Sequence, residues 1–189
     1  MTGVVHVICA TLRPDAPAGS VDTAVARALA MSAAPAVLRT VAGHADGVIL
    51  TATWVADRTA LEVFAASPEH MAFVMRGLAP CISGMWSAAA ETDAAPPDEV
   101  DALWVFAVRN AESVFEWQVR DLLHALTALP GHLAAGATFE ERDRYRAGGV
   151  IAVPVGGIEA FQAALATGRA GWGDLGAQVV EAFAPVSRG

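Results

Sequence analysis

Apolar residues so dominate this chain that its organisation shows best where they pause. Residues 4–13 are rich in Val and Ile and stop at Pro14, which cannot donate to a strand ladder, and this predicts a first strand. Val21, Val25, Ala28 and Leu29 follow at helical spacing behind Ser20, a candidate N-cap, and predict a helix ending near Pro35. Residues 37–42 and 47–55 then predict two strands joined by a turn. Residues 59–78 carry Leu61, Phe64, Phe73, Val74 and Leu78, the face of a second helix interrupted at Pro68. Residues 82–90 form the last strand of the series.

That order, β-α-β-β-α-β, is the split unit of the ferredoxin-like fold. Residues 93–101 include Ala-Ala-Pro-Pro-Asp-Glu and lack any apolar period, which predicts a linker. The same order then restarts, with strands over 103–109, 133–139, 149–155 and 179–186 and helices over 113–129 and 158–178. Leu61 and Ile158, Phe64 and Phe161, Leu78 and Leu175, and Trp86 and Phe183 all stand 97 positions apart, so the chain reads as a duplication. The expected organisation is an α+β chain of two tandem units, 1–92 and 102–189.

One such unit leaves a face of its sheet apolar and uncovered. Two units in one chain can pack sheet against sheet as a pseudo-dimeric barrel, with helices outside and a lumen between. Burial on both faces would explain the near-continuous apolar runs of the strands. Two domains that each pair with another chain are the alternative.

Composition narrows the functional classes. Apolar residues make up 54 % and charged residues 17 %, which argues against disorder. The formal charge is −8, and no Lys/Arg cluster could follow a phosphate backbone, so nucleic acid is not an expected partner. Cys9 and Cys81 show no redox or zinc spacing and read as free, buried thiols of a reducing compartment. No apolar run has the length of a membrane span, and a cytoplasmic protein is expected.

The opening Val-Val-His-Val-Ile-Cys-Ala-Thr-Leu-Arg, with His6 on the first strand, and Ser-Pro-Glu-His-Met-Ala-Phe, with His70 on the second helix, resemble the dimeric α+β-barrel superfamily. More narrowly they resemble its stress-responsive A/B-barrel branch, which includes polyketide cyclases; antibiotic-biosynthesis monooxygenases share the barrel. The likeness in fold order covers nearly the whole chain, and the motif likeness only its first half. The resemblance implies that His6 and His70 flank a ligand cavity and perform acid–base work without a cofactor or metal. At the offset of 97 the second copy has Leu103 and Thr167 in their places, so such a site belongs to the first copy. The cyclases also place a Tyr in the pocket, whereas the only Tyr here is Tyr145, in a charged turn of the second copy.

Imidazole suits this chemistry because its ordinary pKa of about 6.5 lets it take and return a proton near neutrality. Trp54, Trp86 and Trp104, with Phe73, are the candidate walls for an aromatic or polyketide ligand, or else core packing. His44 and Asp46 lie together in a turn but lack a third metal ligand nearby. Three functions remain open: aldol-type cyclisation by the two His residues, cofactor-free oxygenation on the same barrel, and a non-catalytic small-molecule binder or scaffold. A homodimer is the one protein assembly left open.

Overall fold

In the computed structural model the described residues are 3–45, 47–139 and 144–187. Asp46 and residues 140–143 of the charged turn therefore lie outside them. The first unit comprises β1 (Gly3–Leu12), α1 (Ser20–Ala30), β2 (Val37–Ala45), β3 (Val48–Val55), α2 (Arg58–Ala65), α3 (Pro68–Ala72) and β4 (Ile82–Thr92). The second comprises β5 (Ala102–Arg109), α4 (Glu116–Leu126), β6 (His132–Ala137), β7 (Tyr145–Val153), α5 (Ile158–Arg169) and β8 (Val179–Pro185). Each set of strands forms one antiparallel sheet, ordered β2-β3-β1-β4 and β6-β7-β5-β8. The chain thus has the tandem ferredoxin-like architecture of a fused α+β-barrel dimer.

Local chemistry accounts for several element ends. Gly19, in the left-handed region at φ 72°, holds the α1 N-cap, and Ser20 instead donates its hydroxyl to the Pro17 carbonyl at 2.6 Å. The Asp57 carboxylate accepts from the Ala60 N–H at 2.8 Å and caps α2. Where one interrupted helix was expected, Ser67-Pro68 starts a new one: Ser67 caps α3 by accepting from the His70 N–H, and Pro68 occupies the first turn, where a missing N–H costs nothing. The chain then widens into a π-helical turn over Phe73–Leu78, with the Ala79 N–H bonded to the Val74 carbonyl at 3.0 Å.

Side-chain alternation sorts the sheet residues into three layers. Val5, Val7, Cys9, Leu50, Ala52 and Trp54 of the first sheet pack against Leu103, Val105, Ala107, Val150 and Ala152 of the second. This inner layer is a continuous apolar cluster at the place of the lumen between the sheets. Val4, Ile8, Ala10, Ile49 and Val55 point the other way, under α1, α2 and the π-helical turn. Trp104, Phe106, Val108 and Ile151 do the same in the second unit, with Phe161 and Leu165 from α5.

The sheets close on each other at two corners. Gly43 of β2 bridges to Val186 just after β8, and Ala90 of β4 bridges to Thr138 just after β6. A Cβ on Gly43 would stand 2.0 Å from the Pro185 carbonyl oxygen, and one on Gly136 of β6 would stand 2.3 Å from that of Glu91. The two glycines hold equivalent places, Gly43 opposite Leu50 on β3 and Gly136 opposite Gly148 on β7. Only a residue without a side chain admits the neighbouring backbone at either place.

The register also corrects the internal repeat. Val4 lies opposite Val55, and Ala102 lies opposite Val153, so the central strands correspond at an offset of 98, although Phe64 and Phe161 remain 97 apart. A one-residue slip moves a strand residue to the other face. The counterpart of His6 is consequently Trp104 and not Leu103. Trp86 and Phe183, matched at 97, likewise face different layers.

Substituting Gly43→Ala should lower the unfolding midpoint in urea by the equivalent of about 1–3 kcal/mol, the usual cost of forcing atoms into a packed site. Gly84→Ala, at a position with nothing within 4 Å of the added carbon, should change it little and serves as the control. Equal effects from both would show that the corner contact is not restrictive.

Candidate functional site

His6 occupies the middle of the central strand β1, opposite Thr53 on β3 and Ala89 on β4. Its side chain points away from the second sheet and into the helix layer of its own unit. There it meets Phe64 of α2, with ring centroids 6.3 Å apart, and His70 of α3 at 6.4 Å. Phe64 and His70 are 4.8 Å apart, so three rings converge. The two sequence-predicted histidines are brought together, but between sheet and helices instead of between sheets.

The electrostatics of the two rings differ. Both nitrogens of His6 are buried without a hydrogen-bond partner. Burial, reinforced by repulsion from His70, lowers the His6 pKa to about 4, so the ring is neutral at pH 7. His6 as a whole is 9 % exposed, with both ring nitrogens buried.

His70 bonds through Nδ1 to the Ala65 carbonyl at 2.9 Å. That carbonyl is free because α2 ends at Ala65 and the chain restarts at Ser67-Pro68. A carbonyl can only accept, so His70 carries its proton on Nδ1 and presents Nε2 as a base. Burial lowers the His70 pKa, and the Ala65 bond opposes that shift.

The remaining candidates separate. Phe73 is fully buried in the same helix-side cluster as Phe64. Trp54 lies in the inner layer between the sheets, on the opposite face from His6. Trp86 borders that layer and packs against Tyr145 at 6.1 Å, so Tyr145 is an interface residue at the start of β7 and not part of a turn. Trp104 is fully buried in the second unit. None of the three tryptophans shares the helix-side layer of the first unit with His6 and His70.

Trp104 shows what the second copy does with the equivalent place. Its ring lies 6.2 Å from Phe161, the counterpart of Phe64, and 6.2 Å from Trp172. Its Nε1–H donates to Glu181 at 2.7 Å, and Glu181 is paired with Arg169 at 2.6 Å. An indole with its polar edge satisfied fills the volume that the first copy gives to a small, unpaired imidazole.

Sequence reading missed Phe64 and the polar side chains that share the face of His6. Thr51 and Thr53 alternate along an otherwise apolar β3, a spacing that puts both on one face. The Thr53 hydroxyl pairs with that of Thr40 at 3.1 Å, while the Thr51 hydroxyl is buried without a partner. Among the described residues no cluster of three or more His, Cys, Asp or Glu could hold a metal, and no helix is long and apolar enough to cross a membrane.

No protein-family model matches the chain, and no curated protein matches it. Solved structures do. An anthrone oxidase-like protein is 10 % identical, with 99 % of this chain and 92 % of that one aligned at a TM-score of 0.58. A candidate monooxygenase from Lactobacillus acidophilus is 13 % identical over 100 % of this chain and 94 % of its own, at 0.57. A candidate chlorite dismutase is 11 % identical over 100 % and 96 %, at 0.60. At these identities the likeness is one of fold, and it extends over both units.

The low pKa of His6 has a measurable consequence. Between pH 6.5 and about 4 the unfolded chain binds a proton at His6 that the folded chain refuses, so stability rises with pH across that window. The contribution is complete above pH 6.5 and drains as the pH falls towards 4, a loss on the order of 3 kcal/mol. Urea midpoints at pH 7.5 and 4.5 should therefore fall further for the wild type than for His6→Phe. Parallel losses would mean that His6 is not held neutral by the fold.

Proposed function

We propose that the chain is a cofactor-independent enzyme acting on an aromatic polyketide or polyphenolic small molecule, through proton transfer by His6 and His70 in the helix-side pocket of the first unit. The observation that carries the reading is the convergence of two neutral imidazoles, one with both nitrogens unpaired and the other fixed to offer Nε2. A carbon acid between two carbonyls is within reach of such a base. His70 Nε2 takes the proton, leaving an enolate, and attack of that carbon on a second carbonyl of the same molecule forms the new ring bond. The alkoxide so made takes a proton back, which completes an aldol-type cyclisation with no net redox change. Phe64 and Phe73 supply apolar surface for an aromatic body.

A second reading shares the first step. Two of these fold relatives carry oxygenase- or oxidase-type names, which favours an enzyme whose substrate carbanion reduces dioxygen directly. Dioxygen adds to the carbanion as a peroxide; its O–O bond then breaks, one oxygen staying as a new carbonyl and the other leaving as water, and no protein-bound cofactor is needed.

His70→Ala should reduce turnover of a polyketide substrate by about 100-fold or more, the usual contribution of a positioned general base, and His6→Ala should also impair it. Full activity in both variants would overturn the proton-transfer reading. An oxygen electrode separates the two reactions: cyclisation proceeds in nitrogen-purged buffer, and oxygenation stops.

A further inference from the structure

The helix-facing side of the first sheet holds more unpaired polarity than two catalytic imidazoles require. Thr51 is 1 % exposed, and its hydroxyl has no hydrogen-bond partner. It stands opposite Ile8 on β1, two residues along from the His6–Thr53 pair, so Thr51 and His6 are diagonal neighbours on one face. Thr53, closer still to His6, is already committed to Thr40. The unpaired groups of this face are therefore the Thr51 hydroxyl and the two nitrogens of His6.

Leaving such a group unsatisfied costs stability, and native proteins keep few of them. Valine has nearly the shape of threonine, favours strands as strongly and would remove the cost. The second unit takes that course: Ile151 stands opposite Trp104 where Thr53 stands opposite His6, and the two sites on β7 that match Thr51 and Thr53 are Gly149 and Ile151. Hydroxyls are absent from that face of β7, beside the large Trp104, and present on β3, beside the smaller and unpaired His6.

We infer that Thr51 and His6 form a recognition subsite for an oxygen of the ligand, with the Thr51 hydroxyl as the hydrogen-bonding group that selects a phenolic or enolic substrate over a hydrocarbon of the same shape. The inference rests on the proposed pocket but not on the reaction assigned to it. Thr51 is a specificity residue: it holds the oxygen whose orientation presents the neighbouring carbon to His70. A ligand oxygen bonded at Thr51 also meets His6, which as a neutral imidazole offers one donor and one acceptor.

Phenol and toluene are the probes, since they differ by a hydroxyl against a methyl group, and ligand-observed NMR measures their dissociation constants on the full chain. Wild type should bind phenol more tightly than toluene by about tenfold, the worth of one good hydrogen bond. Thr51→Val should bring the ratio close to one, and Thr51→Ser should restore most of it. In the absence of ligand, Thr51→Val should unfold at the same or a higher temperature than wild type, because no internal hydrogen bond is lost. A wild type without phenol preference, or a Thr51→Val protein that keeps it, would overturn the inference. So would a marked drop in the melting temperature of Thr51→Val, which would mean that the hydroxyl serves the fold. If the phenol preference behaves as expected while His6→Ala and His70→Ala both retain turnover, the subsite stands and the proton-transfer mechanism falls.

Discussion

The architecture depends on how closely two sheet edges can approach. Gly43 and Gly136 turn what would be side-chain positions into places where a neighbouring backbone lies, and the corner bridges at Gly43–Val186 and Ala90–Thr138 follow. Closure there presses the apolar faces of both sheets into one core. With that core apolar, the histidine pair lies on the outer face of the first sheet. The position of the histidine pair, under the helices of the first unit, is set by this constraint as much as by the residues themselves.

The two copies then use the same scaffold in opposite ways. At the centre of the first strand one copy has His6 and the other Trp104; on the neighbouring strand one has Thr53 and the other Ile151. In the second copy the large side chain, its Glu181 partner and Arg169 satisfy volume and polarity together. In the first copy both His6 nitrogens and the Thr51 hydroxyl lack a hydrogen-bond partner. Leaving buried polar groups unpaired costs stability, so stability alone would favour the second solution.

Much of the fold was legible because helical spacing and strand runs alternate cleanly, and because Pro14, Pro68 and the residue 93–101 stretch punctuate them. What could not be read was which face each strand residue takes. Burial on both sides erases the alternation of polar and apolar residues that normally identifies the inner face, so the sequence alone does not tell that His6 and Trp104 face the helices. The match at 97 held for the helices and failed by one on the central strands, enough to pair His6 with Leu103 instead of Trp104. The pairing of His6 with His70 was legible through family resemblance. Its physical basis, the Ser67-Pro68 restart that frees the Ala65 carbonyl, emerges only once the helices are placed.

The connection between the units is short and tied down: Val100 is buried in the shared core, the Asp98 carbonyl accepts from Arg39, and the Asp101 N–H donates to Val153. Joining the copies in this way makes docking of one sheet on the other a unimolecular event, so the assembled form does not dissolve into half-barrels on dilution as a two-chain dimer can. It also removes the symmetry that forces identical subunits to carry identical sites. A change such as His6 to Trp at the centre of the first strand, in a homodimer, would alter both copies at once. In a fused chain it alters one, and the other remains available to selection.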